Sequence, residues 1–105
     1  IISGGVNIYP AEIESVLINC PGVHDCAVFG IPHPDFGESV MAIVEAQPGA
    51  ALSEDEIRAY LRPRVADYKI PRTIEFRSGL PREDSGKLFK RKLREPYWQG
   101  VGRKI

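Results

Sequence analysis

Two short apolar runs, Cys26 to Ile31 and Val40 to Ala46, restrict the fold of this chain more than any other feature. Both are dense in β-branched residues and bounded by turn residues, so they read as core strands. Between them lies PHPDFGE, residues 32–38, a turn-rich segment that joins the strands and carries side chains able to do chemistry. Upstream, Pro10 at a first helical position, Glu12 and Glu14 in the first turn, and Ile13, Val16, Leu17 and Cys20 on one face predict an amphipathic helix. Pro21-Gly22 ends it. Downstream, Ser53 and Glu56 form a capping box that opens a second helix, with Ile57, Tyr60 and Leu61 facing inward and Pro63 kinking it or starting a new short helical turn. Thr73 to Arg77 alternates as a third strand, and Gly79, Pro81 and Gly86 mark a loop before a last helix from about Leu88. The order is helix, strand, strand, helix, strand, helix. It predicts an α+β fold with a small three-stranded sheet packed with helices.

A chain of 105 residues fits a single domain, residues 1–105, with one modest core. Any active site is therefore expected on a surface shared with something else. The chain opens on Ile1, which reads as a piece of a longer protein. Net charge is zero but polarised: residues 1–81 hold six Lys/Arg against eleven Asp/Glu, and residues 82–105 hold eight against three. A cationic tail on an acidic body points to a phosphate-rich ligand, an acidic partner surface or nucleic acid, and equally to a solvated terminus. Cys20 and Cys26 lack a metal-ligand pattern and read as reduced packing residues of an intracellular protein. His24 and His33 stand apart from each other and from cysteine, as turn or surface histidines. No metal site is expected. No apolar run approaches membrane-spanning length, so a soluble, cytoplasmic protein is expected.

Three stretches hold candidate binding or catalytic groups. Gly4-Gly5, feeding a helix N-terminus, can adopt backbone angles closed to other residues and let a ligand approach the main chain, although two glycines before a helix also make an ordinary tight turn. Tyr68 beside Lys69 and Arg72, with Pro71 stiffening the loop, can stack a purine and neutralise phosphates, or serve as a plain helix-to-strand connection. Lys87 follows Ser85-Gly86. A helix running from Gly86 would put Lys87, Lys90, Arg91 and Arg94 on one basic face. The Ser-Gly turn offers the alternative, a lysine projecting alone into a partner's cleft, where it neutralises charge on a phosphoryl or acyl-phosphate transition state.

In order and spacing, GGVNIYPAEIE, GIPHPDFGESVMAIV, DYKIPR and LPREDSGKLFKRKLR closely resemble the C-terminal domain of the adenylate-forming enzymes, the superfamily of acyl-CoA synthetases, nonribosomal peptide synthetase adenylation domains and luciferases. The resemblance covers nearly the whole chain and is strongest to acyl-CoA synthetases. It implies a mobile domain that rotates against a large N-terminal domain, its partner, which holds the ATP-binding loops and acyl pocket. It implies ATP, Mg2+ and CoA as cofactors of the full-length enzyme, a carboxylic acid as substrate, and no nucleic acid. It places Lys87 as the adenylation lysine, and Gly4 and Gly5 in the loop that replaces it for thioester formation. Tyr68, Lys69 and Arg72 fall where some CoA ligases bind the CoA nucleotide, with Ile70 at a position that is basic in some relatives, and Phe36 is placed near CoA in the second conformation. The isolated domain is then expected to be inert and to hold no ligand. Two other readings stay open at this point: an adenylation domain serving a phosphopantetheine carrier protein, and a small nucleic-acid-binding module.

Overall fold

The computed structural model describes residues 1–100. In chain order the elements are β1 (Ile2–Ser3), β2 (Val6–Asn7), α1 (Pro10–Leu17), β3 (Val23–His33), β4 (Gly37–Ala46), α2 (Glu54–Leu61), a 3-10 turn (Asp67–Lys69), β5 (Thr73–Phe76) and α3 (Lys90–Trp98). The two apolar runs become an antiparallel hairpin, with Cys26 opposite Val44 and Pro32 opposite Glu38. Strand pairing continues through Pro32 and His33, so the connection shrinks to residues 34–36. On its other side β4 takes β5 in parallel, from Met41–Thr73 to Val44–Phe76, and β1 at Ser3–Gly37. The three predicted strands are therefore the long members of a mixed five-stranded sheet. The two extra strands are two residues each, and the Gly4-Gly5 turn creates them, pairing Ser3 with Val6.

Both faces of the sheet are covered, which explains why the apolar runs are continuous rather than alternating. Val28, Val40, Ala42 and Val44 pack against Ile13 and Leu17 of α1 and Ile57 and Leu61 of α2. Their neighbours Ala27, Phe29, Met41 and Ile43 point the other way, onto Leu80 and Leu93 of α3. Each such fully buried aliphatic side chain contributes about 1.5–3 kcal/mol relative to exposure. Cys20 and Cys26 are free and buried, as packing residues. Burial, then the charges of Glu14 and Asp25, push the Cys26 thiol up to about 12, and burial also raises Cys20.

Helix boundaries shift for local reasons. The Ser53–Glu56 capping box is formed in both directions, at 2.9 and 3.2 Å. The first helix closes at Leu17, and Cys20 lies in the turn beyond it, its N–H on the Leu17 carbonyl at 3.0 Å. The last helix begins at Lys90 rather than near Leu88, because Leu88 is held in a bridge with Arg82 and the Phe89 N–H donates to the Pro81 carbonyl at 2.8 Å.

The outer edge of β3 is closed by side chains. The Val28 N–H donates to Glu14 Oε2 at 2.8 Å and the Cys26 N–H to Asp25 Oδ1 at 2.9 Å. The Gly30 carbonyl accepts from the Trp98 indole at 2.9 Å, and Pro32 has no N–H. Glu14 also binds Lys90 Nζ at 2.7 Å, so one carboxylate ties α1, the sheet edge and α3 together.

Candidate functional site

Gly4 and Gly5 have φ of +57° and +85°, the left-handed values that a two-residue hairpin turn requires at both central positions. The turn leans on the β3–β4 connection, where the Gly4 N–H donates to the Phe36 carbonyl at 2.9 Å. A Cβ on Gly4 would lie 3.9 Å from Phe36 Cδ1, so the bare glycine leaves the aromatic ring open on that side. Phe36 meets two groups. His33 lies parallel to it, 4.2 Å between centroids at 8°, and the Arg72 guanidinium lies 4.6 Å from the ring centroid.

Gly4, Phe36 and Arg72 border an open cleft of about 710 Å³, whose other wall is built from Tyr68, Ile70 and Pro71 of the segment after α2. Tyr68 is 54% exposed. Arg58 braces this wall from α2, donating to the carbonyls of Pro71 at 3.1 Å and Arg72 at 3.0 Å. Arg62 and Asp67 complete the lining. Among the described residues no carboxylate pairs with Arg62 or Arg72, so two cations face the cleft with their charge available to an anion. Gly4, Phe36, Tyr68 and Arg72, picked from distant parts of the sequence, thus meet at one site, with Gly5 beside them in the turn.

Lys69 does not share it. Its ammonium is held by both carboxylate oxygens of Glu12 at 2.8 and 2.9 Å, pinning the 3-10 turn to α1. The hydrogen bond to Glu12 raises the Lys69 pKa above its ordinary value. The carboxylate it meets lies 57 residues away in sequence. Nothing in the sequence marks Arg58 or Arg62 for the cleft; Arg58 looks like half of an ordinary helical pair with Glu54, which it also makes at 3.3 Å.

Lys87 sits elsewhere, in an exposed hairpin turn and not on a helix. The Glu83 N–H donates to the Lys87 carbonyl and the Gly86 N–H to the Glu83 carbonyl, both at 2.8 Å. Gly86 has φ +90°, which the turn needs. Arg82 fixes the hairpin to the body, bonding Asp25 and, at 2.9 Å, the Gly86 carbonyl. The basic face expected along the last helix is correspondingly broken. Lys87 precedes the helix and Lys90 is neutralised by Glu14, leaving Arg91 and Arg94 exposed. Among the described residues no carboxylate pairs with the Lys87 ammonium, and no group of three His, Cys, Asp or Glu side chains is gathered to hold a metal ion. No described helix is long and apolar enough to cross a membrane.

Known proteins are similar to this chain in sequence and fold. A feruloyl-CoA synthase of an Amycolatopsis species is 47% identical over 97 residues, covering 92% of this chain and 20% of that protein. A long-chain-fatty-acid–CoA ligase of Mycobacterium tuberculosis is 48% identical over 97 residues, covering 92% and 19%. The crystal structure of ATP-bound MatB from Rhodopseudomonas palustris superposes with a TM-score of 0.88 at 42% identity, over 94% of this chain and 20% of that one. The fold is that of a C-terminal domain of adenylate-forming enzymes. Residues 12–87 match the model of the AMP-binding enzyme C-terminal domain, and the chain belongs to that family. It spans about a fifth of the length of these relatives.

Proposed function

We propose that the chain is the mobile C-terminal domain of an ATP-dependent acyl-CoA synthetase. In that enzyme a carboxylate and MgATP give an acyl-adenylate and pyrophosphate, and the CoA thiol then displaces AMP to form the thioester. One observation carries the reading: the exposed Lys87 hairpin and the Gly4–Phe36–Arg72 cleft are separate structures on one small body. A rotation of that body exchanges one for the other.

Lys87 serves adenylation. Its ammonium, unpaired at the tip of a braced turn, neutralises negative charge on the carboxylate and phosphate oxygens as a point donor. The cleft serves thioester formation, and its residues suit CoA. Arg62 and Arg72 offer charge for phosphates, exposed Tyr68 offers a stacking face for adenine, and Gly4 with Gly5 lets the pantetheine arm approach the backbone. When bound, CoA supplies the thiol. Lys69, held by Glu12, positions the turn bearing Tyr68. The described residues offer no cluster for Mg2+, which is assigned to the nucleotide site of the N-terminal domain. The partners are that N-terminal domain, a carboxylic acid and CoA. The setting is cytoplasmic, in keeping with two free thiols.

In the complete enzyme, Lys87→Ala is expected to slow adenylate formation by about 100- to 1,000-fold, the effect of removing one charge-stabilising donor. Thioester formation from supplied acyl-adenylate should change by less than about threefold. Single-turnover assays of pyrophosphate release and thioester formation measure the two. Equal losses in both half-reactions would refute the assignment.

A further inference from the structure

His33 does not line the cleft, yet three residues that do depend on it. Its Nδ1 accepts the backbone N–H groups of Asp35 at 3.1 Å and Phe36 at 3.2 Å, so the ring carries its proton on Nε2. This double acceptance closes the turn at residues 34–36. The imidazole also stacks on Phe36, and the Arg72 guanidinium lies 4.6 Å from the centroid of the same ring. Finally, the carbonyl of Phe36, whose N–H is fixed by His33, is the acceptor for Gly4. One imidazole therefore sets a ring, a guanidinium and a glycine turn contributed by three separate segments.

We propose that His33 is a positioning residue for the thiol-transfer half-reaction. It holds Phe36, and through it Arg72 and Gly4, in the geometry that receives CoA. The inference rests on the reading that this cleft takes CoA, and adds to it the residue that shapes the site. Removing the imidazole leaves two N–H groups without their acceptor and frees the Phe36 ring to rotate away from Arg72. Lys87 lies in a different hairpin, so adenylation should not register the change.

The test uses the complete enzyme, with CoA saturation and pyrophosphate release measured side by side. His33→Ala is expected to raise KM for CoA about tenfold while the adenylation rate stays within about twofold. His33→Asn returns a short acceptor to the turn and should recover most of that loss; His33→Phe keeps a flat ring but no acceptor and should not. If His33→Ala fails to fold, the contrast between His33→Asn and His33→Phe carries the test. An unchanged KM for CoA, or equal loss in both half-reactions together with a lowered Tm, overturns the positioning role. Failure of the wild-type enzyme to form any acyl-CoA would instead sink the underlying reading of the cleft.

Discussion

Tyr97 shows how a single side chain reports on the α3 side of the sheet. Its ring packs on Phe29 with centroids 6.0 Å apart, and its hydroxyl donates to Glu75 Oε2 at 2.7 Å. Burial, and then Glu75, push the phenol from its ordinary value of 10.0 up to about 12. The neutral form is favoured by folding, so this stabilisation is complete below pH 10, where the unfolded chain is still protonated, and is lost as pH rises through 12. Urea unfolding between pH 9 and 12 should show stability falling with pH, with a shallower fall in Tyr97→Phe; identical slopes would contradict the coupling. Individual residues differ in how much of this the sequence discloses. Gly4-Gly5 and Ser85-Gly86 announce themselves, since positive φ is a local demand that only a few residues meet. Lys69 does not, because the group that captures it stands on a different helix, and neither does His33, whose bonds depend on how a hairpin closes.

At the scale of elements, the capping box of α2 is the clearest local signal. Ser53→Ala removes the acceptor for the Glu56 N–H and is expected to cost about 1 kcal/mol, read as a lower denaturation midpoint at unchanged m-value; no change would show the helix held by Ile57 and Leu61 alone. Long elements were legible for a related reason. The apolar spacing of α1 and α2 and the runs of β3 and β4 span enough residues to show a period. The misses are short or conditional. Two-residue strands have no period to read, and their existence follows from a turn. The start of α3 is set by the Arg82–Leu88 bridge, a pairing within a loop that periodicity extends through as helix. Coverage of both sheet faces was implicit in the unbroken apolar runs, but which helix covers which face was settled by packing: α1 and α2 on one side, α3 on the other.

For the whole molecule, the proposed function divides the chemistry between this chain and a larger body. The chain alone, supplied with ATP, Mg2+, CoA and a panel of carboxylic acids, should form no detectable acyl-CoA by mass spectrometry, and any sustained product would show that it holds a complete active site. Lys87, Gly4, Phe36, Tyr68 and Arg72 stand out as candidates in the sequence through the order of four motifs, whereas the cations Arg58 and Arg62 join the cleft lining only once α2 is folded against the 3-10 turn. The closed outer edge of β3 bears on a different matter. Under the rotation proposed above, the domain leaves and regains its seat in every catalytic cycle and is repeatedly exposed to other copies of itself. An eleven-residue edge strand with free N–H and C=O groups would template their assembly into extended sheets. With Val28 and Cys26 bonded to carboxylates, Gly30 to an indole, and Pro32 mute, that edge is built to refuse a second strand, and motion does not become a route to aggregation.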